Sequence, residues 1–256
     1  MYNINKLFFL ASPLEQFEII PLLPLEVFGL NISVTNTSLF LMLSVVLSIF
    51  WFSLVIYKNK LVPTNWQSMK ELFYDVTITL VQDNLGKKGL AYFPFIFTIF
   101  TIILYCNLVG MVPYSFTVTS HIAFTFGLAF SVYIGINIIG FQTHGIKFFT
   151  IFLPKGVPLF IVPLVVAIEF VSYIVKVFTI SIRLFANMTS GHTLLKIIAG
   201  FVWTMISIGS VFLYLQIIPL ILLLALVGLE IGIAFLQAYV FTLLTCIYLN
   251  DVLEMH

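Results

Sequence analysis

From residue 89 to residue 146 the chain runs for 58 residues without one Asp, Glu, Lys or Arg. A water-facing surface carries charge at about a quarter of its positions, and only 21 of 256 residues (11 basic, 10 acidic) are charged here. Mean hydropathy is +1.16. The chain is therefore read as an all-α, polytopic membrane protein, its uncharged runs long enough for spanning helices. A secreted disulfide scaffold, a disordered tail and a soluble nucleotide-binding domain are excluded. A net charge of +1 points to no nucleic-acid partner. Cys106 and Cys246 both lie in apolar runs and read as small buried hydrophobes.

The charges punctuate the sequence, so the gaps between them give the spans. Residues 27–57 are uncharged, and 39–57 suffice to cross ~30 Å of hydrocarbon. The long run is broken by Pro113, His121 and the turn-like VPYS, which predicts a helical hairpin over 92–141. Residues 64–84 differ in kind. Trp66, Met69, Phe73, Val76 and Leu80 form one stripe, with Lys70, Glu71, Asp75 and Asp83 off it. Thr64-x-x-Gln67 reads as a capping box, and the segment as an amphipathic helix in the interface plane. Residues 145–158, with Lys147, Lys155 and several Pro and Gly, read as a surface loop. No internal repeat or linker appears, so 1–256 is one membrane domain. Basic residues count seven in loops 58–88 and 144–158 against two on the other side, Lys6 and Lys196. That places the N-terminus outside and the C-terminus inside. The head MYNINKLFFLAS is too short in its apolar part for a secretory signal.

Charge inside a membrane costs ~2.5–3.5 kcal/mol per residue on insertion scales and is a functional hypothesis by default. Glu169, Lys176 and Arg183 recur every seven residues, on one helix face, ~21 Å from first to last. Ser172, Thr179 and Asn187 fill the same stripe, while Glu230, Gln237 and Asp251 lie at multiples of seven on the last helix. Bland readings stand beside these. Lys176 can snorkel, Glu169 can pair with Lys147 or Lys155, and Asp251, Glu254 and His256 can be a solvated terminus. His121 and His144, at span ends, read as interfacial. Arg183 has no acidic residue within ten positions and cannot shed its proton, so its partner lies elsewhere. No Gly-rich phosphate loop, HExxH, CxxC or nucleophile elbow occurs. Four histidines without a paired spacing argue against haem. No cofactor and no metal site are expected, nor bond-making catalysis by this chain.

The run SIRLFANMTSGH at 181–192, with Glu230 and Gln237 in LEIGIAFLQAYVFTLLT, closely resembles the a subunit of F-type ATP synthases. SPLEQFEI, NLVGMVPYSF with TSHIAF after it, and the HG…FLPKGVPL loop resemble its fungal mitochondrial form. The resemblance implies a stator subunit of the proton channel in the mitochondrial inner membrane, its N-terminus in the intermembrane space and its C-terminus in the matrix. It implies a rotor ring of proteolipid c subunits as partner, with peripheral-stalk and small single-span membrane subunits. It gives Arg183 the role of separating two aqueous half-channels. Asn187, His192, Glu230 and Gln237 take the intermembrane-side channel, Glu169 and Asp251 the matrix-side exit, and Lys176 no clear role. It also implies a short leader, residues 1–11, open to removal. In the family the last two helices form a long tilted hairpin, here 159–250, which is expected to turn near residues 200–209 and to kink at Pro219. A subunit of a redox-driven proton pump and a secondary transporter are the alternatives. A transporter favours inverted repeats and broken helices, and a pump subunit has no reason to carry a lone arginine without a partner in its own chain.

Overall fold

The computed structural model describes residues 12–24, 26–27, 30–31, 33–56, 62–112, 115–153, 160–208 and 216–253. The leader, Lys58, Lys60, Pro113, Lys155, Glu254 and His256 lie outside them. A short 3-10 helix, Pro13–Phe17, begins at a capping box in which Ser12 and Glu15 satisfy each other's end groups. Four short strands follow: β1 (Pro21–Leu23), β2 (Glu26–Val27), β3 (Leu30–Asn31) and β4 (Val34–Thr35). They pair antiparallel as β1 with β4 and β2 with β3. The sequence reading contains no strands here. Runs of two or three residues are created by their pairing rather than by pattern, and Asn36 ties the loop down. Its amide donates to the Glu18 carbonyl (3.0 Å) and accepts from the Ile20 N–H (3.3 Å).

The rest is helical: α1 (Asn36–Ile56), α2 (Asn65–Leu85), α3 (Phe93–Gly110), α4 (Ile122–His144), α5 (Val162–Ile208) and α6 (Ile217–Leu253). All but α2 are long and apolar enough to cross a membrane. Glycines with φ of 61° (Gly86) and 56° (Gly145) end α2 and α4. Both are left-handed conformations that glycine adopts without steric cost. Pro94 opens α3 in its first turn, where the missing N–H has no intrahelical partner to lose.

The core lies where α3 meets α6. Ile96, Ile103 and Leu104 of α3, all under 3% exposed, pack in one cluster with Ala238, Phe241, Cys246 and Leu249 of α6. Ala234 and Ala238 are fully buried, and such small residues let helix backbones approach closely in a bilayer. Both cysteines are buried and free, and the Ser44 hydroxyl lies 3.2 Å from Cys106 Sγ, joining α1 to α3.

One local expectation is corrected. Thr64 is the N-cap of α2 but makes no side-chain capping bond. Gln67 instead donates to Glu71 (2.9 Å), an i, i+4 partner that competes with the box. Along the α2 stripe Trp66 and Met69 are exposed, while Leu80 is buried with its neighbours Thr77, Val81 and Leu85. Pro219 is the third residue of α6 as described, in a first turn that tolerates proline.

The last two helices are single elements. Helix α5 has 47 residues and α6 has 37, about 70 Å and 55 Å, against ~30 Å of hydrocarbon. Helix α5 continues eight residues beyond Gly200, with Val202 buried. Among the described residues, then, the turn begins after Ile208. A lone glycine costs a helix only ~1 kcal/mol, too little to stop one that is packed on both sides of it.

Candidate proton-path residues

On α5 the buried positions Val177, Ile180, Ser181, Leu184 and Met188 define the face toward the bundle. At 3.6 residues per turn, Glu169, Lys176 and Arg183 lie roughly a quarter-turn round from it. All three side chains are half-buried. They run along the edge of the interface with α6 instead of out into lipid. A quarter-turn either way would bury the guanidinium against apolar side chains or point it into hydrocarbon.

Near one end of this edge, Glu230 of α6 is 7% exposed. A Cβ added to Gly191 would stand 2.6 Å from Glu230 Oε1, so the carboxylate fills the notch that this glycine leaves. His192 is the next residue, and its Nε2 is buried without a hydrogen-bond partner, as is Glu230 Oε2. The structure thus seats Glu230 against Gly191, the residue before His192. It fixes neither side chain by a hydrogen bond among the described residues. A desolvated carboxyl and an imidazole without fixed partners can take up or release a proton without first breaking a strong bond. Gln237, 6% exposed, lies two turns further along α6 toward the level of Arg183. Asn187 is half-buried one turn beyond Arg183.

At the other end, Lys176 Nζ lies 3.6 Å from Asp251 Oδ2. Its ammonium also sits 4.9 Å from the Tyr248 ring centre and 6.0 Å from that of Tyr173. Asp251 is thus more than a solvated terminus: it is the α6 partner of a cation on the charged stripe. Arg183 forms no ion pair or hydrogen bond with any described residue. It stands between the two contacts, ~13.5 Å along the helix from His192 and ~21 Å from Glu169.

One polar residue escapes the sequence reading. Asn107 on α3 is fully buried, and its amide donates to the Ala234 carbonyl of α6 (3.3 Å) while its Oδ1 has no partner. Ala234 sits one turn from both Glu230 and Gln237, which puts Asn107 beside that same stretch of α6. Its only signal in the sequence is being the one amide in an 18-residue apolar helix. His121 is the N-cap residue of α4, stacked on Phe116 at 5.1 Å, and burial lowers its pKa. His144 ends α4. Among the described residues no His, Cys, Asp or Glu cluster has a metal-binding arrangement.

Residues 38–250 match the family described as ATP synthase A chain. The chain is 68% identical over 249 residues to "ATP synthase subunit a" of Chondrus crispus, covering 97% of this chain and 98% of that one. It is 49% identical to "ATP synthase subunit a" of Marchantia polymorpha (96% and 99% covered). It is 48% identical to "ATP synthase subunit a-2" of Arabidopsis thaliana (99% and 75%). None of these three organisms is a fungus, so the fungal cast of the resemblance draws no support from them.

Proposed function

The chain belongs to the ATP synthase A chain family, and from that premise we propose that it is the stator half of a proton path in which Arg183 separates two aqueous half-channels. As an Fo a subunit it works within the ATP synthase complex. The outer half-channel runs by Asn187, His192, Glu230 and Gln237, and the inner one by Glu169 and Asp251. The observation that carries this reading is the placement of Arg183. It is a half-buried guanidinium without an ion-pair or hydrogen-bond partner among the described residues, between the Gly191–Glu230 contact on one side and the partly exposed Lys176–Asp251 pair on the other.

One proton crossing 100 mV releases ~2.3 kcal/mol, and a continuous proton wire would dissipate it. A fixed cation interrupts the wire because protons are repelled from its surroundings. It also holds a passing rotor carboxylate ionised, since opposite charges at 4 Å attract by about 4 kcal/mol at an effective dielectric of 20. A carboxylate must then be protonated on one side to leave the arginine through lipid, and deprotonated on the other side to return. Rotation follows from that requirement. The chain itself makes and breaks no covalent bond in this scheme. Its partners are a ring of proteolipid c subunits, peripheral-stalk and small single-span membrane subunits, and the lipid of the mitochondrial inner membrane. The N-terminus faces the intermembrane space and the C-terminus the matrix.

Arg183→Gln tests the reading. The complex should assemble, proton-driven ATP synthesis should vanish, and passive proton conductance through Fo should rise. Normal synthesis in membranes carrying this variant would refute it.

A further inference from the structure

Helix α5 is joined to α4 and to the turn that precedes it by three polar contacts. The Tyr173 hydroxyl donates to Asn137 Oδ1 (2.8 Å). The Ser181 and Thr125 hydroxyls lie 3.2 Å apart, both side chains fully buried. The Thr189 hydroxyl donates to the Ser120 carbonyl (3.3 Å). The three α5 members fall eight residues apart, ~12 Å per step, and the middle one is two residues from Arg183.

In each case the oxygen on the α4 side is already held by its own segment. Asn137 donates its amide to the Tyr133 carbonyl (2.8 Å), which orients Oδ1 outward. The Thr125 hydroxyl reaches the Ile122 (3.2 Å) and His121 (3.4 Å) carbonyls as well as Ser181, and either hydroxyl of the Ser181–Thr125 pair can be the donor. The Ser120 carbonyl is fixed by the backbone turn ahead of α4, where the His121 N–H bonds to the Val118 carbonyl (3.2 Å). Helix α5 therefore supplies the hydrogen at the two outer contacts, and at all three the opposite atom is held by its own segment. Many other hydroxyls on α5 turn back to their own helix, as Thr179 does to Val175 and Thr193 to Thr189. Crossing to α4 is thus a property of these three positions.

We infer that Tyr173, Ser181 and Thr189 are positioning residues that lock the rotation of α5 about its axis and so set the direction in which Arg183 leaves the helix. Apolar packing between helices in lipid has little directional preference, because lipid tails are as apolar as the side chains. Three hydrogen bonds to partners already held in place do have one. An interhelical hydrogen bond in a bilayer favours its aligned state by roughly threefold, so three together weight one rotation by about 25-fold. The inference rests on the proposed role of Arg183 for its consequence, but not for its geometry.

The experiment uses the assembled ATP synthase complex carrying Tyr173→Phe, Ser181→Ala and Thr189→Val together, in a background without Cys106 and Cys246. Single cysteines introduced at positions 186, 187 and 190 are then labelled with a water-soluble maleimide. The expected result is a redistribution of labelling around the helix, with the cysteine at position 187 losing several-fold and a neighbour gaining. Ser181→Thr in place of Ser181→Ala, which keeps the hydroxyl, should restore most of the original pattern. An unchanged pattern in the triple variant overturns the inference. Proton-driven synthesis is measured on membranes carrying the triple variant without an introduced cysteine. A rotated pattern with full synthesis leaves the ladder standing and refutes the role given to Arg183, so the two failures are told apart.

Discussion

The hairpin of α3 and α4 and the hairpin of α5 and α6 are written in the same apolar alphabet and spend it differently. Most of α3 is enclosed, with Ile96, Ile99, Phe100, Ile103 and Leu104 inside the bundle. Helices α5 and α6 leave Leu164, Ile168, Val171, Leu224, Leu229 and Leu236 exposed, and the half-buried charges run along the α5 edge of that surface. Helix α3 is scaffold: it is complete within the chain. Helices α5 and α6 leave a broad apolar face uncovered by the chain itself, and the half-buried charges of α5 lie along its edge.

The sharpest way to break this comparison is one substitution in each hairpin. Arg183→Ala should eliminate synthesis in a complex that assembles in normal amount. Ile103→Ala, at a position 1% exposed, should cost about 2–5 kcal/mol of stability and lower the amount of complex, with turnover per assembled complex kept. Blue-native quantification alongside synthesis rates separates the two. Equal loss of assembly in both would erase the distinction. Arg183→Lys should fail nearly as badly as Arg183→Ala, because an ammonium lacks the planar fork and loses its proton when buried.

Next in size is the outer site. His192→Glu and Glu230→His should each reduce proton flux by about a hundredfold, the low end of the range for removing a positioned proton carrier. Each leaves two like groups where an acid met a base. The double exchange should recover a measurable part of that flux if the two titrate as a unit. A double variant no better than the worse single one shows independent action.

Glycines give a subtler contrast. Gly191→Ala drives a methyl into the Glu230 carboxylate (2.6 Å), whereas Gly135→Ala on α4 meets only the Phe95 ring at 3.9 Å. Flux should fall several-fold in the first, through a displaced carboxylate, and stay within error in the second. Proton pumping in inverted vesicles decides. The smallest effect belongs to Lys176→Met. Its ion pair with Asp251 is partly exposed (29% and 48%), and such pairs contribute about 0–1 kcal/mol. Thermal inactivation should therefore barely move.

Much of this architecture is legible in the sequence because charge is so costly in lipid. Gaps between charges locate the helices, and three ionisable residues seven apart declare a shared face. The ends are harder. Gly200 looks like a stop, yet its small penalty is outweighed by packing that continues at Val202. The strands of residues 21–35 have no periodic signal to read. Asn107 and the hydroxyls of Ser181 and Thr189 are hidden for another reason. Ser and Thr in apolar helices usually bond their own backbone, as Thr179 and Thr193 do here. Only the neighbouring helix decides which of them reach across.

The central claim is that Arg183 divides two water-filled paths that open on opposite faces. Single cysteines replacing Glu169 and His192, on either side of it, test this most directly in assembled complexes within sealed vesicles of known orientation. A membrane-impermeant thiol reagent should modify the cysteine at position 192 only from the intermembrane-space face, and the one at position 169 only from the matrix face. Modification of both from one face would contradict the account.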